Sequence, residues 1–350
     1  MTPLRIAVAG AGLIGRRHIE LIQASRDCQL CALVDPVPAA AALGAQHGVA
    51  VYPSLEQLFS AQRPDGVILA TPNQLHVQGA LACIEHDVAA LIEKPVAHSL
   101  AEGKRLLAIA EQRQARLLVG HHRAHSTILD KARELIYEGL LGDLVAVMGS
   151  ALFYKPADYF DTAPWRRQPG GGPVLINMIH EIGNLRSLCG EIVAVQAQAS
   201  NATRGFAVED SVAISLRFAS GALGTFLLSD TAACARSWEQ TARENLDYPS
   251  YADEDCYVIA GTRGSLSIPS MRLKYYADSD QRSWWKPFST AVAALEPADP
   301  LQRQLTHFCQ VIRGEAQSLV TVRDGVRNLQ IVEAISQAAL TGQTIDTASL

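Results

Sequence analysis

Two side chains of this sequence lie where they could move protons on a bound molecule. Lys94 follows Glu93 and the apolar run 88–92, which is predicted to be a buried strand. His180 follows the triple glycine at 170–172 and lies on a predicted helix. An imidazole can take a proton from a hydroxyl group while an ammonium group polarises the oxygen. These two residues are therefore the candidates for acid–base catalysis.

The helix that carries His180 has a polar stripe on an otherwise apolar surface. Asn177, His180 and Asn184 occupy positions i, i+3 and i+7, which lie on one face of a helix. A single histidine in such a place commonly makes a structural hydrogen bond. With the two amides and the triple glycine before them, a functional role and a structural role are both open. The triple glycine before the helix is expected to let the backbone pass close to a ligand.

No metal site is expected from the histidines and cysteines. Position 184 is Asn, so the segment after His180 lacks the second histidine of a zinc-protease helix. His121, His122 and His125 are not accompanied by a set of carboxylates or cysteines. The seven cysteines are an odd number scattered over the chain, which argues against a disulfide framework.

The N-terminal residues carry the pattern of a dinucleotide-binding turn. An apolar run leads into G-x-G-x-x-G at 10–15, and Asp35 follows at the end of the next apolar run. Gly10 permits the tight turn, Gly12 permits close approach of a pyrophosphate, and Gly15 permits close packing of helix on strand. The residues predicted to contact a dinucleotide here are Gly10, Gly12, Leu13, Ile14 and Gly15.

Asp35 bears on the choice between NAD and NADP. Its carboxylate can accept a hydrogen bond from the ribose 2′-hydroxyl and would repel a 2′-phosphate, which favours NAD. Arg16 and Arg17 lie nearby and would favour a phosphate, so NADP is the alternative cofactor. A purely structural alternative is that Asp35 starts the turn before Pro36.

The order of apolar runs predicts an α/β protein with two domains. Residues 1–122 alternate continuously apolar strands with helices, which is typical of a doubly wound parallel Rossmann sheet. Residues 123–350 carry long strands with hairpin turns at 219–221 and 262–264, which predicts an α+β domain with an open, mostly antiparallel sheet. A long loop is predicted at 232–254, and two helices are predicted at 300–313 and 322–341.

Composition and charge narrow the range of partners. The 350-residue chain is 48% hydrophobic and has a net charge of −5, which gives no reason to expect nucleic acid or an anionic membrane as a partner. No apolar run reaches the length that spans a bilayer. Only Met1–Arg5 precede the first predicted strand, so no signal peptide is expected and the cytoplasm is the expected location.

The motifs in this order resemble the glucose–fructose oxidoreductase, inositol dehydrogenase and rhizopine-catabolism (Gfo/Idh/MocA) family of NAD(P)-dependent oxidoreductases. The specific part is Glu93-Lys94-Pro95 together with the glycine-rich helix of His180. The N-terminal glycines alone are shared with other Rossmann enzymes. The resemblance extends nearly end to end through Thr71-Pro72-Asn73 with His76, Val119-Gly120-His121, Trp165-Arg166, the segment 218–222 and His307-Phe308.

The resemblance implies a division of labour between the two domains. Residues 1–122 would bind the cofactor, and residues 123–350 would bind a small polyhydroxylated substrate and pack through their sheet into a homo-oligomer, a dimer or a tetramer. Lys94 would be the active-site lysine and His180 the active-site histidine. Further cofactor contacts are implied at Thr71, Pro72, Asn73, His76, Glu93 and Lys94. Substrate contacts are implied at Lys94, His122, Arg123, Trp165, Arg166, Asn177 and His180.

One position departs from the pattern of the family. Many members carry an aspartate four residues before the active-site histidine, where this sequence has Ile176. An aspartate would orient the imidazole and favour its charged form, and isoleucine can do neither. Asn177 or Asn184 is therefore expected to orient the ring of His180.

These residues predict an oxidoreductase that moves a hydride between NAD(H) and a secondary alcohol or ketone of a sugar, sugar acid or cyclitol. His180 is expected to shuttle the alcohol proton and Lys94 to polarise the oxygen. Arg123, Arg166 and Arg167 suit a substrate carboxylate, and surface salt bridges are the alternative role for them. The same fold also serves a dihydrodiol dehydrogenase, a C=C reductase, an enzyme that retains its cofactor, or a non-catalytic NAD-sensing regulator.

Overall fold

The computed structural model describes residues 2–350, which divide into two compact units. The first unit comprises residues up to 125 together with 300–329. The second comprises Ser126–Asp299 and Gln330–Leu350. This grouping differs from a linear division at 122/123 because residues 300–329 pack with the first unit.

The first unit contains a parallel sheet of six strands, as the continuously apolar runs predict. The sheet order is β3-β2-β1-β4-β5-β6, so the strand order reverses between β1 and β4, which is where doubly wound sheets bind ligands. The strands are β1 (Leu4–Ala9), β2 (Cys28–Val34), β3 (Ala50–Tyr52), β4 (Gly66–Leu69), β5 (Ala89–Glu93) and β6 (Leu117–Gly120).

Helices connect successive strands of this sheet. Ser54 and Ser99 cap two of them by accepting hydrogen bonds from the backbone N–H groups of Gln57 and Glu102. The helix after Ser99 starts where the S-x-x-E pattern predicts it. The helices are α1 (Leu13–Ala24), α2 (Ala40–His47), α3 (Leu55–Ala61), α4 (His76–Glu85) and α5 (Leu100–Gln112).

The second unit contains a mixed sheet of nine strands that is mostly antiparallel. The one parallel neighbour pair is β7 with β10, and the turns predicted at 219–221 and 262–264 join antiparallel neighbours. The sheet order is β14-β13-β12-β11-β7-β10-β9-β8-β15. The strands are β7 (Leu144–Leu152), β8 (Ile192–Ser200), β9 (Ser211–Phe218), β10 (Leu223–Ser229), β11 (Tyr257–Gly261), β12 (Gly264–Ile268), β13 (Arg272–Tyr275), β14 (Ser289–Val292) and β15 (Ile345–Asp346).

Helices cover one face of the nine-stranded sheet. Alternate residues of β9, such as Ile214 and Leu216, are buried in the core of this unit, while Ala213 and Ser215 face away from it. Val174–Met178 forms a π-helical turn directly before the helix of His180. The helices are α6 (Thr127–Tyr137), α7 (Ala157–Asp161), α8 (Ile179–Cys189) and α9 (Trp238–Thr241), the last lying within the segment that the sequence predicts as a loop.

Two helices, α10 (Pro300–Arg313) and α11 (Val322–Thr341), lie between β14 and β15 in sequence. Leu305, Phe308 and Ile312 of α10 are buried in the same core as strands of the six-stranded sheet. Gly66 at the start of β4 leaves the space that the Phe308 ring fills, because a Cβ there would lie 3.0 Å from the ring. This packing explains why α10 belongs to the first unit.

Candidate functional site

The glycine turn after β1 is shaped by close backbone contacts. Gly10 has φ +96°, and a Cβ on it would collide with the carbonyl of Ala70. A Cβ on Gly15 would collide with the carbonyl of Gly10, so helix α1 packs directly on the turn. A Cβ on Gly12 would meet no atom within 4 Å. Gly12 therefore leaves open space at the N-terminus of α1, which is where a pyrophosphate would fit.

The carboxylate of Asp35 holds this turn in place. The backbone N–H of Ala11 donates to Asp35 Oδ2 at 2.8 Å, and that of Val37 donates to Oδ1 at 2.9 Å. The second contact is the turn that the structural alternative predicts. A carboxylate oxygen can accept more than one hydrogen bond, so both oxygens keep capacity for ribose hydroxyls.

The loops after β4 and β5 are joined by His76. Its Nδ1 lies 2.7 Å from the carbonyl oxygen of Pro95 and its Nε2 lies 2.9 Å from that of Thr71. The ring is 2% exposed, so it ties the two loops together from inside. The hydroxyl of Thr71 is buried and has no hydrogen-bond partner, and Asn73 beside it is half-buried. An orphaned hydroxyl at the sheet edge fits a bound ligand in this place.

Lys94 follows Glu93, a buried carboxylate that is hydrogen-bonded to the buried His18. His18 Nε2 of α1 donates to Glu93 Oε1 at 2.8 Å, and the backbone N–H of Lys94 donates to Glu93 Oε2 at 3.2 Å. Burial opposes ionisation of Glu93, but the hydrogen bond with His18 and the charge of Lys94 favour it, so the pKa of Glu93 lies below its ordinary value. Glu93 is therefore an anion that holds the backbone of Lys94.

His122 and Arg123 follow β6 and belong to the first unit. Burial and the charge of Arg123 lower the pKa of His122 to about 3, so its ring is neutral at neutral pH. Arg123 is 4% exposed. Nearby, His125 Nε2 and His307 Nδ1 share a hydrogen bond of 2.8 Å. Within residues 2–350, no group of three or more histidines, cysteines or acids could hold a metal ion.

In the second unit, His180 lies on α8 and is 7% exposed. Asn184 on the same helix donates to the hydroxyl of Tyr257 at 3.0 Å, and this hydroxyl donates to the carboxylate of Glu181. All three are buried, so this network fastens α8 to β11. Of the two amides predicted to orient His180, Asn184 is thus engaged with Tyr257, and Asn177 remains half-buried.

The structure adds Lys155, which the sequence analysis does not select. Its ammonium group donates to Asn177 Oδ1 at 2.7 Å and lies 3.6 Å from Asp230 Oδ2. Burial lowers the pKa of Lys155 to about 8, although the carboxylate of Asp230 acts in the opposite direction. Lys155-Pro156 soon after β7 repeats the Lys94-Pro95 pattern after β5, and this signal could have identified it.

The glycines before α8 pack against protein atoms. A Cβ on Gly171 would collide with the backbone of Trp165, and a Cβ on Gly172 would collide with the carboxylate of Glu209. Glu209 also accepts a hydrogen bond from the backbone N–H of Val174 at 2.9 Å. Burial raises the pKa of Glu209. At Gly171 and Gly172, close packing of the chain on itself thus accounts for the glycines that were expected to admit a ligand.

The two arginines after Trp165 differ in their surroundings. The Arg167 guanidinium pairs with Asp161, which is the salt bridge expected in the alternative interpretation. The Arg166 guanidinium lies 3.7 Å from the centre of the Tyr159 ring and donates to the Tyr159 carbonyl at 2.5 Å. Trp165 is 55% exposed. Arg166 and Trp165 therefore remain candidates for contact with a substrate.

Two family models match the sequence. Residues 4–121 match the oxidoreductase family with an NAD-binding Rossmann fold, and residues 129–267 match the GFO/IDH/MocA C-terminal domain. The chain belongs to the Gfo/Idh/MocA family of oxidoreductases. The predicted family, the α/β fold and the NAD-binding character of this Gfo/Idh/MocA protein are confirmed.

Named relatives cover nearly all of this Gfo/Idh/MocA chain. It is 27% identical over 345 residues to the rhizopine catabolism protein MocA of Rhizobium meliloti, covering 96% of this chain and 95% of that one. It is also 27% identical to inositol 2-dehydrogenase of the same species over 95% of both chains. The structure of WlbA dehydrogenase from Bordetella pertussis, solved with NADH and UDP-GlcNAcA, has a TM-score of 0.78 at 23% identity and 99% coverage of both chains.

Proposed function

We propose that this protein is a dehydrogenase that transfers a hydride between NAD(H) and a secondary alcohol or ketone of a sugar, sugar acid or cyclitol. The observation that carries the proposal is the placement of Lys94 in the unit that has the dinucleotide turn. Its backbone N–H is held by Glu93, which is itself hydrogen-bonded to the buried His18. A protein that only senses NAD has no need of such a lysine. The relatives named inositol 2-dehydrogenase and D-glucoside 3-dehydrogenase support the same class of reaction.

The cofactor is proposed to bind at the carboxyl edge of the six-stranded sheet. The glycine turn and the first N–H groups of α1 would hold the pyrophosphate, and Asp35 would accept hydrogen bonds from the ribose. NAD⁺ supplies the hydride acceptor when it is bound. The other proposed contacts are Leu13, Ile14, Thr71, Pro72, Asn73, His76, Glu93 and Lys94.

The chain supplies the proton transfer and the charge that the substrate oxygen requires. His180 is proposed to take the alcohol proton, and the ammonium group of Lys94 to stabilise the negative charge that develops on the oxygen. A neutral His122, whose pKa is about 3, can exchange hydrogen bonds with a hydroxyl without adding charge. The remaining proposed substrate contacts are Arg123, Trp165, Arg166 and Asn177.

Replacement of each proposed catalytic residue tests this function. In Lys94→Ala and in His180→Ala, kcat is expected to fall about 100-fold or more, because each variant loses one group that acts on the proton or the oxygen. Turnover is measured as reduction of NAD with a panel of polyols, sugar acids and cyclitols, and NAD affinity by titration. Lys104→Ala on α5 and His86→Ala serve as controls. Normal turnover in both catalytic variants, with NAD affinity intact, contradicts the proposal.

We also propose that the protein is a homo-oligomer in the cytoplasm. The face of the nine-stranded sheet away from its helices carries exposed apolar side chains on the central strands β7 and β10, which suits contact between subunits. The seven cysteines are all free thiols, which suits a reducing compartment. Among residues 2–350, no helix is long and apolar enough to cross a membrane.

A further inference from the structure

Lys155 has more hydrogen-bond donors than its neighbours use. An ammonium group has three N–H bonds. Asn177 Oδ1 accepts one of them at 2.7 Å, and the nearest carboxylate oxygen, on Asp230, lies 3.6 Å away. That carboxylate also accepts from Arg204 Nε at 2.9 Å, so its charge is shared between two cations. Lys155 is only 8% exposed. A buried ammonium with spare donors favours an acceptor that comes from outside the chain.

The contact with Lys155 fixes which way the amide of Asn177 points. A protonated lysine only donates hydrogen bonds, so the Asn177 atom facing it is the carbonyl oxygen. The amide NH₂ group must then point away from Lys155. Asn177 is half-buried at the π-helical turn, and its two N–H bonds have no acceptor among the described residues. Asn177 thus adds two further donors to the same neighbourhood.

Arg166 adds a second cation beside Tyr159, the tyrosine whose ring also lies near the Lys155 ammonium. Its guanidinium lies 3.7 Å from the centre of the Tyr159 ring, and the Lys155 ammonium lies 4.9 Å from that centre. Arg166 Nε is buried and makes no hydrogen bond. Its Nη1 donates to the Tyr159 carbonyl. The three side chains thus have more unused donors than acceptors, since Asn177 Oδ1 already accepts from Lys155.

We propose that Lys155, Asn177 and Arg166 form a carboxylate-binding subsite, so that the enzyme acts on sugar acids in preference to neutral sugars and cyclitols. This inference rests on the proposed dehydrogenase function and names its substrate class. A carboxylate accepts several hydrogen bonds and forms charge-assisted ones with ammonium and guanidinium groups. A neutral hydroxyl forms none of these charge-assisted bonds.

Paired ligands test the subsite on the enzyme with NAD⁺ bound. Calorimetry compares L-tartrate, D-gluconate and D-glucuronate with erythritol, D-glucitol and D-glucose. We expect at least one acid to bind about tenfold or more tightly than its neutral counterpart. Binding of none of the acids, or equal binding within every pair, overturns the proposal. Failure of the dehydrogenase function is a separate result, since it is seen as absent NAD reduction with every compound.

Variants of Lys155 separate charge from packing. Lys155→Met keeps an aliphatic chain beside Phe153 and Tyr159 and is expected to lose the preference for the acid. Lys155→Arg is expected to keep it, because the charge and donors remain. The exposed Lys274 on β13 gives the control Lys274→Met, which is expected to bind as the unchanged protein does. Retained preference in Lys155→Met contradicts the subsite, and circular dichroism verifies that each variant is folded.

The pH dependence gives a readout that a structural role would not produce. Burial lowers the pKa of Lys155 to about 8, so the side chain is charged below that pH and neutral above it. The preference for the acid is therefore expected to fall as the pH rises from about 7 to about 9.5 and to persist in Lys155→Arg. An identical profile in both proteins contradicts the role of Lys155. The other charged groups around it are Asp230, Glu239, Glu209, Arg166 and Arg204.

Discussion

Asp35 combines a structural and a proposed binding role in one carboxylate. It accepts from the backbone N–H groups of Ala11 and Val37, and its negative charge disfavours a 2′-phosphate. Asp35→Asn removes the charge and keeps one acceptor oxygen, so the ratio of kcat/KM for NAD over NADP is expected to fall about tenfold or more. Asp65→Asn is the matched control, because Asp65 also accepts a backbone N–H, from Arg5. An unchanged ratio in Asp35→Asn contradicts the proposed ribose contact.

The sequence predicts a role for Lys94 but not for Lys155. Lys94 follows β5 at once, and a parallel strand brings its last residue to the ligand-binding edge. Lys155 comes three residues after β7, and its burial depends on Asn177 and Asp230 from distant segments. No local sequence pattern predicts those contacts. The spacing of Asn177 and His180 predicts their shared helix face, while the partner of each amide required the structure.

At the scale of elements, the position of α8 depends on buried polar contacts. The Tyr257 hydroxyl of β11 accepts from Asn184 and donates to Glu181, both on α8. Tyr257→Phe removes this hydroxyl inside the core and is expected to lower the free energy of unfolding by about 1–3 kcal/mol, measured by urea denaturation. Tyr251→Phe, at a tyrosine that is 43% exposed, is expected to cost much less. Equal stability of the two variants contradicts the anchoring role.

Strands with a strong apolar signal are predictable, and short or exposed ones are not. The predicted strands 67–70 and 88–92 each lie within one residue of β4 and β5, because both are continuously buried. Strand β14 is exposed at every residue and β3 has three residues, so neither produces an apolar pattern. The triple glycine similarly predicts close approach, but its sequence does not say whether a ligand or Glu209 approaches.

The division of the chain into two units depends on which surfaces pack together, and the sequence does not show which surfaces those are. The amphipathic pattern of α10 predicts a helix with one apolar face. That face, with Leu305 and Phe308, is buried with β1 and β4, strands far away in sequence. Order along the chain favours a simple division near residue 122, whereas burial of this face assigns 300–329 to the first unit. The core that receives a helix is set by complementary packing, which only the structure reveals.

The proposed oligomer makes a prediction about the open face of the nine-stranded sheet. Met148 of β7 is 59% exposed, and Leu223 and Leu227 of the neighbouring β10 are 58% and 46% exposed. A contiguous apolar patch at the centre of a sheet loses contact with water when a second subunit covers it. Met148→Glu buries a charge in that contact, so the dissociation constant is expected to rise about tenfold or more. Mass by light scattering over a dilution series measures this, with Val292→Glu on the edge strand β14 as the control. A monomeric unchanged protein, or equal masses for all three proteins, contradicts assembly through this face.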